Sequence, residues 1–164
     1  MTTIIICLSL IPLLASLWLM LMRQRPAPAT AWLSLALLYF ADARVPGLST
    51  VGFWGAAAAI ATAINYMLPA AVTDSRTGQG YIAGATLAGM FVGMVMNFKS
   101  AMIVGAIAGA LIGALAFSRT RSGATIAHPF RKFINYVCAK GMSAVITAVI
   151  DGITISYIIS LTNS

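Results

Sequence analysis

The chain alternates between long apolar runs and short polar breaks, and the runs show no period-two alternation. Such runs predict α-helices rather than the strands of a transmembrane barrel, whose two faces would alternate. The first run is 4–22, with Pro12 inside it as an expected bend. It lacks a basic leading segment and a small-residue cleavage site, so it reads as a retained span rather than a signal peptide. Arg23, Arg25, Pro26 and Pro28 then predict a basic loop. The second run, 29–41, is short. Counted from Ala27 as a helix, it covers about 22 Å against about 30 Å of hydrocarbon. It is read either as a crossing with local bilayer thinning or as a re-entrant piece. Asp42, Arg44, Pro46 and Gly47 mark the next turn, and a third span is expected over 50–68, before Pro69.

Two runs rich in small residues follow. The stretch 78–98 carries Gly80, Gly84 and Ala88 in one register and Ala85, Gly89 and Gly93 in another. The stretch 100–118 carries Ala101, Gly105, Gly109 and Gly113, with Ala106, Ala110 and Ala114 on the neighbouring stripe. A spacing of four places these residues on one helical face, where two backbones can approach closely. A tight hairpin of glycine-zipper type is expected, with Gly80, Gly84, Gly89, Gly93, Gly105, Gly109 and Gly113 as its packing set. The stretch 128–140 has Phe130, Phe133, Ile134 and Val137 on one side and reads as an interfacial basic amphipathic segment. A last span is expected over 141–161, with Asp151 near its middle. The fold class is therefore an all-α polytopic transmembrane bundle of about six spans, in one domain over 1–164.

Composition reinforces the class. Apolar residues make up 60% of the 164 and charged residues only 8%, whereas a soluble domain carries about 25% charge. The net charge of +7 would suit nucleic acid, but the basic residues fall between the apolar runs, where topology explains them. With six spans, Arg23, Arg25, Arg76, Arg119, Arg121, Arg131, Lys132 and Lys140 share one side, and only Arg44 and Lys99 take the other. That bias predicts cytoplasmic basic loops in a bacterial inner membrane. It also requires 29–41 to cross, because otherwise Arg23/Arg25 and the 119–140 cluster would be separated.

The stretch Asn65-Tyr66-Met67-Leu68-Pro69, the turn Asp74 to Gly80 and the glycine-rich pair Gly84 to Gly113 resemble a bacterial glycine-rich integral membrane family known as domain of unknown function 456. The resemblance covers roughly 33–161. It implies an Asp-Tyr-x-x-Pro segment at the end of a span, then a Gly-rich helix pair and a final span with a small-residue start. Asn65 stands where that family usually has Asp, and Asp151 lies about where its members often have a basic residue. An ion pair in the family would thus be an amide–carboxylate pair here. The family carries no assigned activity, so the resemblance implies a fold and not a function.

Asp151 is the leading candidate for chemistry. A carboxylate at the bilayer centre costs about 2.5–3.5 kcal/mol on insertion scales, and intramembrane acids commonly mark ion, proton or substrate paths. Lys140, Ser143, Thr147, Asp151 and Thr154 recur at three or four residues and form one polar stripe. The alternative is a structural Asp, protonated or hydrogen-bonded to Thr147 and Asn65. Asn65 and Tyr66 beside Pro69 read either as ligand-coordinating groups or as an interhelical bond and an interfacial aromatic. Arg119, Arg121, Arg131, Lys132 and Lys140 are expected to contact lipid headgroups. Gly78 and Gly80 make no phosphate loop, since no Lys-Ser/Thr follows. His128 has no second ligand, and Cys7 and Cys138 lie far apart, so no metal, no cofactor, no disulfide framework and no enzyme activity is expected. The expected partners are membrane lipids and a second copy or a larger membrane complex, with no nucleic acid. The leading function is transport of an ion, lipid or small polar solute through Asp151, Thr147, Thr154 and Asn65. The alternative is a non-catalytic scaffold or accessory subunit.

Overall fold

The computed structural model of the protein describes residues 2–22, 25–41, 46–67, 78–96, 99–123 and 130–162. Helices dominate these residues: α1 (Thr2–Met22), α2 (Ala27–Ala41), α3 (Leu48–Met67), α4 (Gln79–Val95), α5 (Lys99–Ser118) and α6 (Phe130–Thr162). No strand occurs among the described residues. Four segments are long and apolar enough to cross a membrane: Ile4–Met22, Leu48–Met67, Ser100–Ser118 and Phe133–Thr162. Ala27–Ala41 and Gln79–Val95 are apolar but shorter.

Burial runs opposite to that of a water-soluble bundle. Ile4, Ile11, Trp18, Phe40, Val95 and Leu115 are exposed, Phe40 at 73% and Val95 at 86%. Alanine, serine and threonine fill much of the interior instead. An exterior with this many exposed large apolar side chains suits an apolar solvent, in keeping with the four helices that could cross a membrane. Within lipid the helices gain little from hiding large side chains, so small residues that let backbones approach take the inner positions.

Helix α6 is the hub, packing against each of the other five. One core lies on its α1, α4 and α5 side and includes Met20, Ile82, Met90, Ala106, Ala110, Ala148 and Val149. A second, on the α2 and α3 side, joins Ala31, Leu35, Val51, Ala58 and Ile150. Trp54 and Ile153 pack against both. At the start of α2, Pro28 sits in the first turn, where no intrahelical N–H is forfeited. The expected basic loop is thus shorter than proline content implied. Pro12 lies within the single helix α1.

The closest helix pair is α4 with α5. A Cβ built on Gly89 would overlap the Gly105 carbonyl, one on Gly93 the Ala101 carbonyl, one on Gly109 the Ala85 carbonyl, and one on Gly113 the Tyr81 carbonyl. Each step of four along α4 is matched by a step of four back along α5, so the pair is antiparallel in a single register. Gly80 and Gly84 depart from the expected packing set, because nothing lies within 4 Å of a Cβ added at either. One residue separates their register from the Ala85–Gly89–Gly93 stripe, which turns them about 100° away from α5. On α5 the alanine stripe faces α6: Ala110 Cβ lies 4.0 Å from where a Gly141 Cβ would stand.

The segment before the last span also differs from expectation. Rather than an interfacial piece followed by a span at Gly141, Phe130–Thr162 is one helix of 33 residues. Its first part packs on protein: Tyr136 is buried, its ring lies 5.5 Å from that of Phe117 on α5, and its hydroxyl covers Gly78. Arg23, Asp42, Arg44, Leu68, Pro69, Asp74, Arg76, Asn97, Phe98 and His128 lie outside the described residues, as do the side chains of Lys99, Phe130, Arg131 and Lys132.

Candidate functional site

The polar stripe of α6 faces inward along its whole length. Lys140, Ser143, Thr147, Asp151 and Thr154 are all buried, Asp151 at 0% exposure. The helical period that aligned them in the sequence also sets them on the face that the other helices enclose.

The partner of Asp151 is on α1. Ser16 Oγ lies 2.7 Å from Asp151 Oδ1 and 2.8 Å from Oδ2, and also 2.7 Å from the Leu13 carbonyl oxygen in its own helix. Ser9, Leu13, Ser16 and Met20 form the buried edge of α1, at spacings of four, three and four. A 3.5-residue seam of this kind is how one helix lies along another. Ser16 was absent from the expected site. Its signal was legible, since Ser9 and Ser16 are the only polar side chains between Ile4 and Met22 and stand two turns apart on one face.

The expected partners of Asp151 are engaged elsewhere. Thr147 Oγ1 donates to the Ser143 carbonyl and Thr154 Oγ1 to the Ile150 carbonyl, each at 2.8 Å. Threonines in apolar helices commonly satisfy their hydroxyl protons one turn back in this way. Asn65 is buried, but its Nδ2 donates to the Ala61 carbonyl at 3.3 Å. Its Oδ1 accepts no hydrogen bond among the described residues. The amide–carboxylate pair expected between Asn65 and Asp151 is therefore replaced by a hydroxyl–carboxyl pair between Ser16 and Asp151.

Gly152, next to the acid, is roofed by methionines. A Cβ there would stand 2.6 Å from Met102 Cε and 2.9 Å from Met90 Sδ. Gln79 Nε2 donates to the Met20 carbonyl at 3.1 Å, covering one acceptor in the last turn of α1.

Tyr66 sits apart from Asp151 on an exposed face. It lines an open apolar groove of about 560 Å³ between α2 and α3, together with Ala29, Trp32, Gly55, Ala58 and Thr62. Trp32 Nε1 donates to the Val51 carbonyl at 3.0 Å and latches the two helices together beside this groove. Of the expected headgroup contacts, Arg119 and Arg121 are exposed beyond α5. Lys140 is a correction: it is only 3% exposed, because the segment carrying it packs into the bundle. Among the described residues no three His, Cys, Asp or Glu side chains gather as a metal site would require.

No family model, curated protein or solved structure matches the chain, and the resemblance to the glycine-rich family rests on its motifs alone.

Proposed function

We propose that this is a six-span protein of a bacterial inner membrane, with its basic loops cytoplasmic, that passes an ion, lipid or small polar solute along the polar stripe of α6. The observation that carries the reading is Asp151, fully buried and joined to Ser16 across two helices of a bundle that is otherwise largely apolar. Asp151 stands ten residues beyond Gly141 and eleven before Thr162, so about 15 Å of helix extends on either side of it. A bundle held by packing alone has no use for an acid at that depth, and such residues ordinarily mark a path. The short helix α4 runs beside α5 from Tyr81–Gly113 to Gly93–Ala101. A membrane crossed by α5 is thus crossed by α4, and their glycine-zipper contact makes the pair a rigid wall for the moving parts. Thr147 and Thr154 line the path, and Asn65 is a further polar group on α3. Arg119 and Arg121 bind lipid headgroups, at about 1 kcal/mol each near an anionic surface.

The test is flux from liposomes holding the purified protein. Asp151→Asn is expected to lower the rate at least about tenfold, since the amide keeps the shape but not the charge chemistry of the acid. A variant as active as the parent would remove the reading.

A second reading has its own observation. Gly80, Gly84 and Ala88 are exposed on α4, the two glycines with open space in front of them. A small-residue face turned outward fits an accessory subunit that packs against another membrane protein. This reading expects Gly84→Leu to abolish recovery of a companion in mild detergent while Asp151→Asn leaves it intact. Gly109, by contrast, is spent on the intramolecular contact with α4. Isolation of a lone monomer counts against the scaffold.

A further inference from the structure

The hydrogen-bond geometry around Ser16 has room for one proton more than the serine supplies. Three oxygens stand at 2.7, 2.7 and 2.8 Å from Ser16 Oγ: the Leu13 carbonyl and the two carboxyl oxygens of Asp151. A serine hydroxyl has one proton to give. If it goes to Asp151, the Leu13 carbonyl keeps its own helical N–H donor, but a fully buried carboxylate keeps its whole charge with a single neutral hydroxyl as its hydrogen-bond donor among the described residues. If it goes to Leu13, a bare carboxylate oxygen faces the lone pairs of the serine at contact distance, which is repulsive. One additional proton on the carboxyl closes the set: Asp151 donates to Ser16 Oγ, and Ser16 donates to the Leu13 carbonyl.

We propose that the species bound and released at Asp151 is a proton, held between its carboxyl and the Ser16 hydroxyl. This rests on the transport reading above and names the substrate class of the same site. The step is a simple association: a carboxylate oxygen takes a proton to become a carboxylic acid, and release returns it to water with no electron transfer. A metal cation fits less well. A calcium-like ion takes six to eight oxygen ligands at about 2.3–2.6 Å, and to enter here any such ion would have to part the Ser16–Asp151 contact. A proton needs one acceptor and fits the contact as it stands.

Among the described residues, the titratable groups of the surrounding helices leave the proton as the natural counterion of Asp151. On α1 the described titratable side chain is Cys7, which is exposed. Among the described residues, α2, α3 and α4 contribute the phenols Tyr39, Tyr66 and Tyr81, and α5 carries no titratable group from Ala101 to Ser118. On α6 itself, Tyr136, Cys138 and Lys140 lie fifteen, thirteen and eleven residues below, the nearest about 16 Å along the helix, and Tyr157 lies six residues above, about 9 Å.

The experiment uses the full-length protein in liposomes loaded with a pH-sensitive dye, with a potassium diffusion potential as the driving force. Matched vesicles report sodium, potassium and a small polar solute. The expected result is proton entry that falls at least about tenfold in Asp151→Asn, while the other species do not move. Asp151-dependent movement of sodium, potassium or solute without protons would overturn the proton assignment and leave the transport reading standing. If no species moves, transport fails, and infrared spectroscopy of the same samples decides the proton. A protonated-carboxyl stretch present at neutral pH and absent in Asp151→Asn supports it, and no such band overturns it. Ser16→Ala, which keeps the acid, should retain that band at a shifted frequency. An unshifted band would remove Ser16 from the site.

Discussion

Gly109→Leu is expected to prevent the α4–α5 pair from forming, and Gly109→Ala alone should destabilise the protein by about 3 kcal/mol, at the upper end of ordinary overpacking. The reason is what the new atom meets. A Cβ at Gly109 lands on the Ala85 backbone carbonyl, with Thr86 Cα 3.0 Å away. Backbone cannot swing aside as a side-chain tip does, so the helices must separate. The loss then spreads to Gly89, Gly105 and Gly113, whose contacts lie in the same register. The adjacent control is Gly84→Ala, which enters open space and should leave the monomer's stability within about 0.5 kcal/mol, as surface substitutions do. Thermal unfolding in detergent, followed by loss of the monodisperse peak, measures both. Equal effects at the two positions would show that the register is wrong.

Removing Ser16 is expected to harm the fold more than replacing Asp151 by asparagine. Ser16→Ala leaves a fully buried carboxyl without its partner across the helices, and an unsatisfied buried polar group costs about 1–3 kcal/mol. Asp151→Asn keeps a group of the same shape that still bonds the serine hydroxyl. Its stability should stay within about 1 kcal/mol of the parent, in line with hydrogen bonds between membrane helices averaging about 0.6 kcal/mol. The two variants thus separate folding from transport: one loses stability, the other loses flux. Adding Asp151→Leu to Ser16→Ala should recover stability, because two apolar groups replace a stranded acid. Stability curves for the two single variants and the double variant in one detergent supply the comparison.

How far these features could be read from the residues depended on whether they are local. Asp151 and its stripe were visible because helical period alone puts Thr147, Asp151 and Thr154 on one face. Period says nothing about which of five neighbouring helices meets that face, and there the wrong helix was expected. Asn65, an amide on α3, was the stronger-looking partner; Ser16, a small hydroxyl on α1, is the actual one. The two glycine registers of α4 were equally plausible in sequence, and only the approach of α5 distinguishes Gly89 from Gly84. Lys140 and the residues before it looked interfacial because they are basic and amphipathic. Instead Tyr136 meets Phe117, near the end of α5, with Phe133 and Val137 packed on the same core, and a single glycine at Gly141 does not stop a helix that is packed on both sides of it.

The most direct measurement is a cross-link between α1 and α6. Cys7 and Cys138 are first replaced by serine, then cysteines are placed at Ser16 and Asp151 and treated in intact membrane vesicles with a short bis-alkylating thiol cross-linker, because the side-chain contact sets the two Cβ atoms farther apart than a direct disulfide spans. Meeting of the two side chains inside the bundle predicts rapid, complete intramolecular bridging, and none when the second cysteine is moved to exposed Ile159. A pair at 16 and 151 that stays unlinked, while a cysteine pair at Trp32 and Gly55 is joined by the same reagent in the same vesicles, would contradict it.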